Sequence, residues 1–393
     1  MNIKNLLLTF GLVLVSMVVN AKSPALSLKV YSPGKDAIFD VASTIVYGKK
    51  DAMLIDGQFQ KKYAEELVKE IKGLKKNLKT IYISHYDPDY YFGLDVIHKA
   101  FPEARIIATP QTAYMIEVSK DSKINTWKEQ LGADAPDSII VPETTDTIPD
   151  LEGNKIEIRS RKDDPAHSYL WIPSLKTVLG GIYVSTGGHL WMADTKTMKG
   201  IEQWRQALAD MKALQPKYVI PSHFVVSDSS PANLDVIDKY LADFATALKN
   251  NDKADGVIAA MKAVYPNLPG EGSLALGAKV YKGEAEWKTF DLYPAVGRSI
   301  KVDFGAFAFR NSFKDAHHMT FLGLNGGYKG VTDNVITTVV EVSPNVYMVY
   351  WSEPNSTKSN VVHVQNYNTG TVWTNIAAPD GKFYNMKGKL TLE

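Results

Sequence analysis

The chain has 393 residues, 45% hydrophobic and 22% charged, which suits two globular domains and excludes a largely disordered protein. Lys plus Arg number 44 against 43 Asp plus Glu, a net charge of +1, so no basic excess exists to attract nucleic acid or an anionic membrane. The absence of cysteine excludes disulfides, thiolate metal ligands and a cysteine nucleophile.

Lys4 precedes an apolar run from Leu6 to Val19, which leads into the small-x-small pattern Val19-Asn20-Ala21. A basic start, a short apolar core and Ala at the cut read as a secretory signal peptide over residues 1–21. The run falls short of the roughly 20 residues that cross a bilayer. Cleavage after Ala21 predicts an exported protein, periplasmic or secreted, with no integral membrane segment.

Residues 22–265 alternate strands with helices. Ala52–Asp56, Thr80–Ser84, Arg105–Thr109, Val178–Gly181 and Tyr218–Ile220 read as strands, and Lys61–Leu74, Leu94–Phe101 and Ile201–Leu214 as helices. This alternation predicts a layered α/β domain. The Pro/Gly-rich stretch from Pro266 to Gly272 opens an expected linker over 266–290. From 291 to 393 evenly spaced strands take over, among them Val335–Val342, Val346–Trp351, Val361–Gln365 and Val372–Ile376. They predict an antiparallel sandwich or barrel.

The chemistry concentrates in Ser84-His85-Tyr86-Asp87-Pro88-Asp89-Tyr90-Tyr91-Phe92-Gly93-Leu94, where a strand ends and a helix begins. In extended chain, residues 85, 87 and 89 share one side, so an imidazole and two carboxylates converge. Packed carboxylates repel, and a bound cation removes that cost. Imidazole plus carboxylate suits zinc, and two His with one carboxylate also suit iron(II). No Gly-x-Ser-x-Gly elbow, P-loop or dinucleotide fingerprint appears.

This stretch resembles the His-x-His-x-Asp-His signature of the metallo-β-lactamase fold superfamily. Later landmarks follow in the same order: His167 in Asp164-Pro-Ala-His167, the strand Lys176–Gly181, and Tyr218-Val-Ile-Pro-Ser-His223, with Asp56-Gly57 matching an early turn. The resemblance implies an αββα sandwich. It also exposes departures: Asp87 stands for the second His, Tyr90 for the last, and Ile182 for the bridging Asp. Carried over, the first metal site keeps His85, Asp87 and His167, and the second keeps Asp89 and His223. Three ligands with an open position hold a catalytic zinc and two do not, so one zinc per chain is expected, with iron or no metal as alternatives. His189 follows the lost Asp and is a further candidate. From Val296 onward the strands resemble MoaF-type barrels, small relatives of the lipocalins. There Phe307, Phe309, Tyr347, Tyr350, Trp351 and Trp373 are candidates to line a pocket.

Two functions follow from the resemblance. One is an exported single-metal hydrolase of an ester, lactone or amide, in which a metal-bound hydroxide attacks, Asp89 orients or deprotonates the water, and Tyr90 steadies the oxyanion. The other is a non-catalytic protein that binds a small molecule on a degenerate fold. A small-molecule substrate or ligand is the expected partner in both.

Overall fold

The computed structural model describes residues 25–224 and 228–393; the expected signal peptide lies outside the described residues. The first sheet runs in spatial order β1 (Ser27–Tyr31), β2 (Ser43–Tyr47), β3 (Asp51–Ile55), β4 (Asn77–Ile83), β5 (Arg105–Ala108) and β6 (Glu143–Thr144). Strands β1 to β3 are antiparallel, and β3 to β6 are parallel. The helices α1 (Lys61–Gly73), α2 (Pro88–Tyr91), α3 (Leu94–Ala100) and α4 (Pro110–Leu131) connect its strands. Strands β7 (Glu157–Arg161), β8 (Asp164–Ile172) and β9 (Thr177–Leu179) are antiparallel to one another, and β11 (Tyr218–Val219) joins β9 in parallel. The short β10 (Ser185–Thr186) pairs in parallel with β12 (His223–Phe224). Helix α5 (Met198–Ala213) lies between β10 and β11, and α6 (Asn233–Asn250), α7 (Ala254–Val264) and α8 (Glu271–Tyr281) follow β12.

The layers follow from which faces are apolar. Met53, Ile55 and Tyr82 from the first sheet meet Leu170, Ile172 and Leu179 from the second in a sheet-on-sheet core. Ile45, Leu54, Ile81 and Ile83, on the opposite face of the first sheet, pack on Leu67, Ile71 and Ile97 of α1 and α3. Helices α5 to α8 cover the outer face of the second sheet through Trp204, Leu208, Phe244 and Leu274. The result is the expected αββα sandwich.

Two segments add to the expectation. Residues 266–290 carry α8, whose Leu274 and Ala278, one helical turn apart, are fully buried in the α5–α8 core. The Pro/Gly stretch is therefore the turn into a packed helix. Helix α4 has no legible stripe because the run from Thr112 to Ile116 is buried without a break. It lies between the α/β domain and the barrel: Tyr114 and Met115 join the barrel core. Thr109 caps α4, accepting the Thr112 N–H at 3.1 Å, with Pro110 in the first turn. Thr109→Ala is expected to lower stability by about 1 kcal/mol in equilibrium denaturation.

The C-terminal domain is a closed, wholly antiparallel barrel of eight strands: β13 (Ser299–Asp303), β14 (Ala308–Phe313), β15 (His318–Gly323), β16 (Thr332–Ser343), β17 (Val346–Ser352), β18 (Asn360–Asn366), β19 (Thr371–Ala377) and β20 (Phe383–Leu392). Strand β20 pairs back onto β13, which leaves no open edge. One end docks on α4 and β6. There Gln111 Nε2 donates to Val296 O at 2.8 Å, Thr144 Oγ1 to Asp315 at 3.3 Å, and His317 pairs with Glu117 at 2.9 Å. Among the described residues no helix is long and apolar enough to cross a membrane.

Candidate ligand cleft on the α/β domain

The loop after β4 is positioned by a chain of buried hydrogen bonds. Asp56, at φ 65°, ends β3 in the left-handed region, where Asp is tolerated better than most residues. Its carboxylate accepts the Ser84 N–H at 2.7 Å and the Ser84 hydroxyl at 2.6 Å. Ser84 Oγ in turn accepts the Gly181 N–H at 2.7 Å, so β3, β4 and the segment after β9 meet at one hydroxyl. Burial outweighs these hydrogen bonds and raises the Asp56 carboxyl to about 7. Gly57 N–H donates to Tyr90 O at 2.6 Å, and Gly93 N–H to Gln58 O at 2.7 Å, fixing the motif at both ends. Any side chain at Gly93 would meet Ala64 Cβ at 2.7 Å.

The structure gathers the sequence-predicted residues into one cluster. The His85 and His167 rings stack 5.4 Å apart, the His85 and Tyr90 rings lie 5.1 Å apart, and the Tyr90 and His223 rings 5.6 Å apart. Asp87 has extended backbone, as the alternation predicts, but Asp89 sits in the first turn of α2. Asp89 therefore leaves the common side and reaches His223, whose Nε2 lies 2.7 Å from its carboxylate.

Asp87, Asp89 and Asp164 are each already paired with a lysine or an imidazole of the chain. Lys123, from α4, places its ammonium 2.7 Å from Asp87 and also donates to Tyr86 O at 2.8 Å. Burial pushes the Asp87 carboxyl up, but Lys123 and then His85 outweigh it and hold it down at about 2. Asp164 takes His167 Nδ1 at 2.7 Å and the Tyr183 hydroxyl at 2.8 Å. Burial opposes charge on His167 and His223, yet Asp164 and Asp89 respectively raise both imidazoles. The second nitrogen of His167 lies 3.2 Å from the Tyr86 hydroxyl.

His85 is the exception. Burial lowers it to about 3, so the ring is neutral. Its Nδ1 accepts the Asp87 N–H at 3.2 Å, which leaves the proton on Nε2. That Nε2 is buried with no partner. Tyr90 is fully buried and donates to Gly181 O at 3.3 Å, so the expected oxyanion donor is committed elsewhere. Burial keeps Tyr86 and Tyr90 protonated. His189 lies in another layer, with Nδ1 2.9 Å from the Tyr240 hydroxyl.

These donors do not fit the expected zinc or iron. Asp87 is taken by Lys123, Asp89 and His223 pair with each other, and His167 sits between Asp164 and Tyr86, which leaves His85 Nε2 without a partner. Ile182 packs against the apolar cluster under α1 to α3, where the superfamily's acid would stand. Among the described residues no group of three His, Asp or Glu side chains is placed to hold a metal.

Sequence reasoning missed Lys123 and Asp164, and it missed a pair of indoles. Trp191 and Trp287 both donate to Asp194, at 2.6 and 2.8 Å, with rings 5.4 Å apart. The charges of Asp87 and Lys123 both act on the Asp194 carboxyl, so this half-buried pair lies near the cluster. Trp191 lies close to His189 in sequence, and Trp287 falls in the expected linker; neither carries a motif.

Residues 38–223 match the metallo-beta-lactamase superfamily, and residues 296–391 match the MoaF-like family. No curated protein matches the chain. A metallo-beta-lactamase family protein from Thermus thermophilus is a structural neighbour at 13% identity and TM-score 0.46, covering 65% of this chain and 93% of its own. A metallo-beta-lactamase from Pontibacter korlensis is another, at 22% identity and TM-score 0.39, covering 56% of this chain and 93% of its own. A beta-lactamase domain protein from Burkholderia ambifaria, at 11% identity and TM-score 0.48, covers 65% of this chain and 84% of its own. The chain thus joins a metallo-β-lactamase superfamily domain, with a departed metal motif, to a MoaF-like barrel.

Proposed function

We propose that the α/β domain binds a small organic molecule beside a cluster whose expected metal positions are paired with other groups of the chain. The observation behind this reading is the set of three internal pairs, Asp87 with Lys123, Asp89 with His223, and Asp164 with His167. With the carboxylates compensated, the cluster has no electrostatic need for an added cation. What it offers a ligand is the unpartnered Nε2–H of His85 and the aromatic edge of Trp191 and Trp287. A molecule with an acceptor oxygen and a flat apolar body suits both. The N-terminal segment adds export to the periplasm or outside the cell.

The second reading is the single-metal hydrolase of an ester, lactone or amide. Superfamily membership favours it, and so does His85 Nδ1, which also lies 3.4 Å from Asp87 Oδ2. A proton held there would free Nε2 as a ligand.

Elemental analysis of residues 22–393, purified without chelator or His-tag, separates the two. The wild type is expected to carry far less than one metal per chain, before and after incubation with zinc or iron(II), and His85→Ala and His167→Ala are expected to match it. One zinc per chain, lost in both variants, would overturn the binding reading in favour of the hydrolase.

A further inference from the structure

The barrel has a second candidate site, independent of the cleft. Its docked end is filled: Tyr293, Tyr347 and Tyr367 cluster there, and the Tyr293 and Tyr367 hydroxyls both donate to Gln365 Oε1 at 2.8 Å. The other half holds a cavity of about 70 Å³ lined by aromatic side chains, among them Phe304, Phe307, Phe309, Phe321, Tyr328 and Trp351. Phe304, Phe307 and Tyr328 come from the β13–β14 and β15–β16 connections, at the barrel end away from α4. Of the expected pocket residues, Tyr347 belongs to the filled end. Tyr350 and Trp373 are exposed, since each alternates with an inward neighbour, Trp351 and Thr374.

Three polar atoms in this apolar wall have no partner: Asn311 Nδ2, His363 Nδ1 and Thr374 Oγ1. Their residues are only 2%, 4% and 2% exposed, and all three line the cavity. His363 and Thr374 face each other across β18 and β19 without bonding, and the His363 ring sits edge-on to Trp351 at 4.7 Å. A buried polar atom left unpaired is costly, and three in one cavity point to a group that satisfies them when bound. Asn311 Nδ2 is a pure donor, so that group includes an acceptor. The lining contains no Lys or Arg. Its one carboxylate, Glu353, is bonded by Trp351 Nε1 at 3.0 Å and Thr357 Oγ1 at 2.5 Å. An anionic ligand would be desolvated there with no counter-charge.

We propose that the far half of the barrel binds a neutral, flat molecule the size of one substituted aromatic ring, whose carbonyl oxygen accepts from Asn311 Nδ2 beside His363 and Thr374. This site does not depend on the function of the α/β cleft.

Calorimetric titration of the full chain with acetophenone tests it, with benzoate as the same frame carrying a charge. Acetophenone is expected to bind saturably at one site per barrel, and benzoate at least tenfold more weakly. Asn311→Leu is expected to weaken acetophenone at least tenfold while leaving the melting temperature equal or higher, because it deletes an unpaired buried donor. Thr374→Val provides a second, near-isosteric variant with the same expectation. No saturable acetophenone binding, equal affinity for benzoate, or unchanged affinity in both variants would each overturn the proposal.

Discussion

Lys123→Met is expected to lower the stability of the chain by about 3 kcal/mol at pH 7, the order found when one partner of a largely buried ion pair is removed. Asp87 and Lys123 side chains are 21% and 16% exposed, so solvent cannot take over the neutralisation fully. The pH dependence identifies the cause. In the wild type Asp87 titrates at about 2, below the ordinary carboxylate value, so its contribution is complete above about pH 4. That contribution is lost as the pH falls through 2. In the variant, burial is no longer opposed by Lys123, so the penalty is greatest at neutral pH and fades as acid protonates Asp87. The stability difference between the two proteins should therefore narrow on acidification. Neutral His85, held at about 3 chiefly by burial, loses stability between about pH 6.5 and 3; Lys123 adds to that lowering, so the loss is smaller in the variant and narrows the difference in the same direction. Asp87→Asn in the Lys123→Met background should recover most of the loss. Added zinc should raise the melting temperature of Lys123→Met, whose Asp87 is freed beside His85 and His167, and leave the wild type unmoved. A constant difference from pH 7 to 3 would show that lost packing of the lysine stem, rather than charge, causes the destabilisation.

How much of this was legible in the sequence depends on whether the information is local. His85 and Asp87 share an extended stretch, and period-two alternation places them correctly. Asp89 escapes that rule because Pro88 opens a helix one residue earlier. The convergence of His167 and His223 on the motif was readable only through the order of landmarks, since nothing near either residue specifies its partner. Lys123 could not be read at all. A lysine on a 22-residue helix looks like a solvated face, and its approach to Asp87 is a property of how α4 crosses the domain. The same crossing erased the helical stripe of α4, because the barrel buries the side that would otherwise be polar. In the barrel, strand spacing gave the class, while closure depends on β13 meeting β20. The alternation that turns Trp351 inward turns Tyr350 outward, so residue type alone misassigned the lining.

Gly181→Ala is expected to be among the most damaging single methyl groups at the described residues, costing more than about 4 kcal/mol and yielding little soluble protein. Two penalties coincide there. The residue has φ +73°, where a side chain costs about 1 kcal/mol, and a Cβ would stand 2.0 Å from the Ser168 carbonyl oxygen, a backbone atom that cannot turn aside. Two other glycines separate these terms. Gly34 has φ +77° with nothing within 4 Å, so Gly34→Ala reports the conformational penalty alone. Gly180 has φ +73° and meets Ser84 Cβ at 3.1 Å, so Gly180→Ala should fall between, at about 2 kcal/mol. Denaturation midpoints ranked Gly34→Ala, Gly180→Ala, Gly181→Ala in falling order would support this account, and equal losses at Gly34 and Gly181 would refute it. The close pass matters to the cleft because Gly181 carries both the N–H that Ser84 accepts and the carbonyl that the Tyr90 hydroxyl reaches. The backbone at this point ties β9 to the loop that presents His85 and Asp87. A side chain there would displace that loop, even though Gly181 itself contributes no functional group to the site.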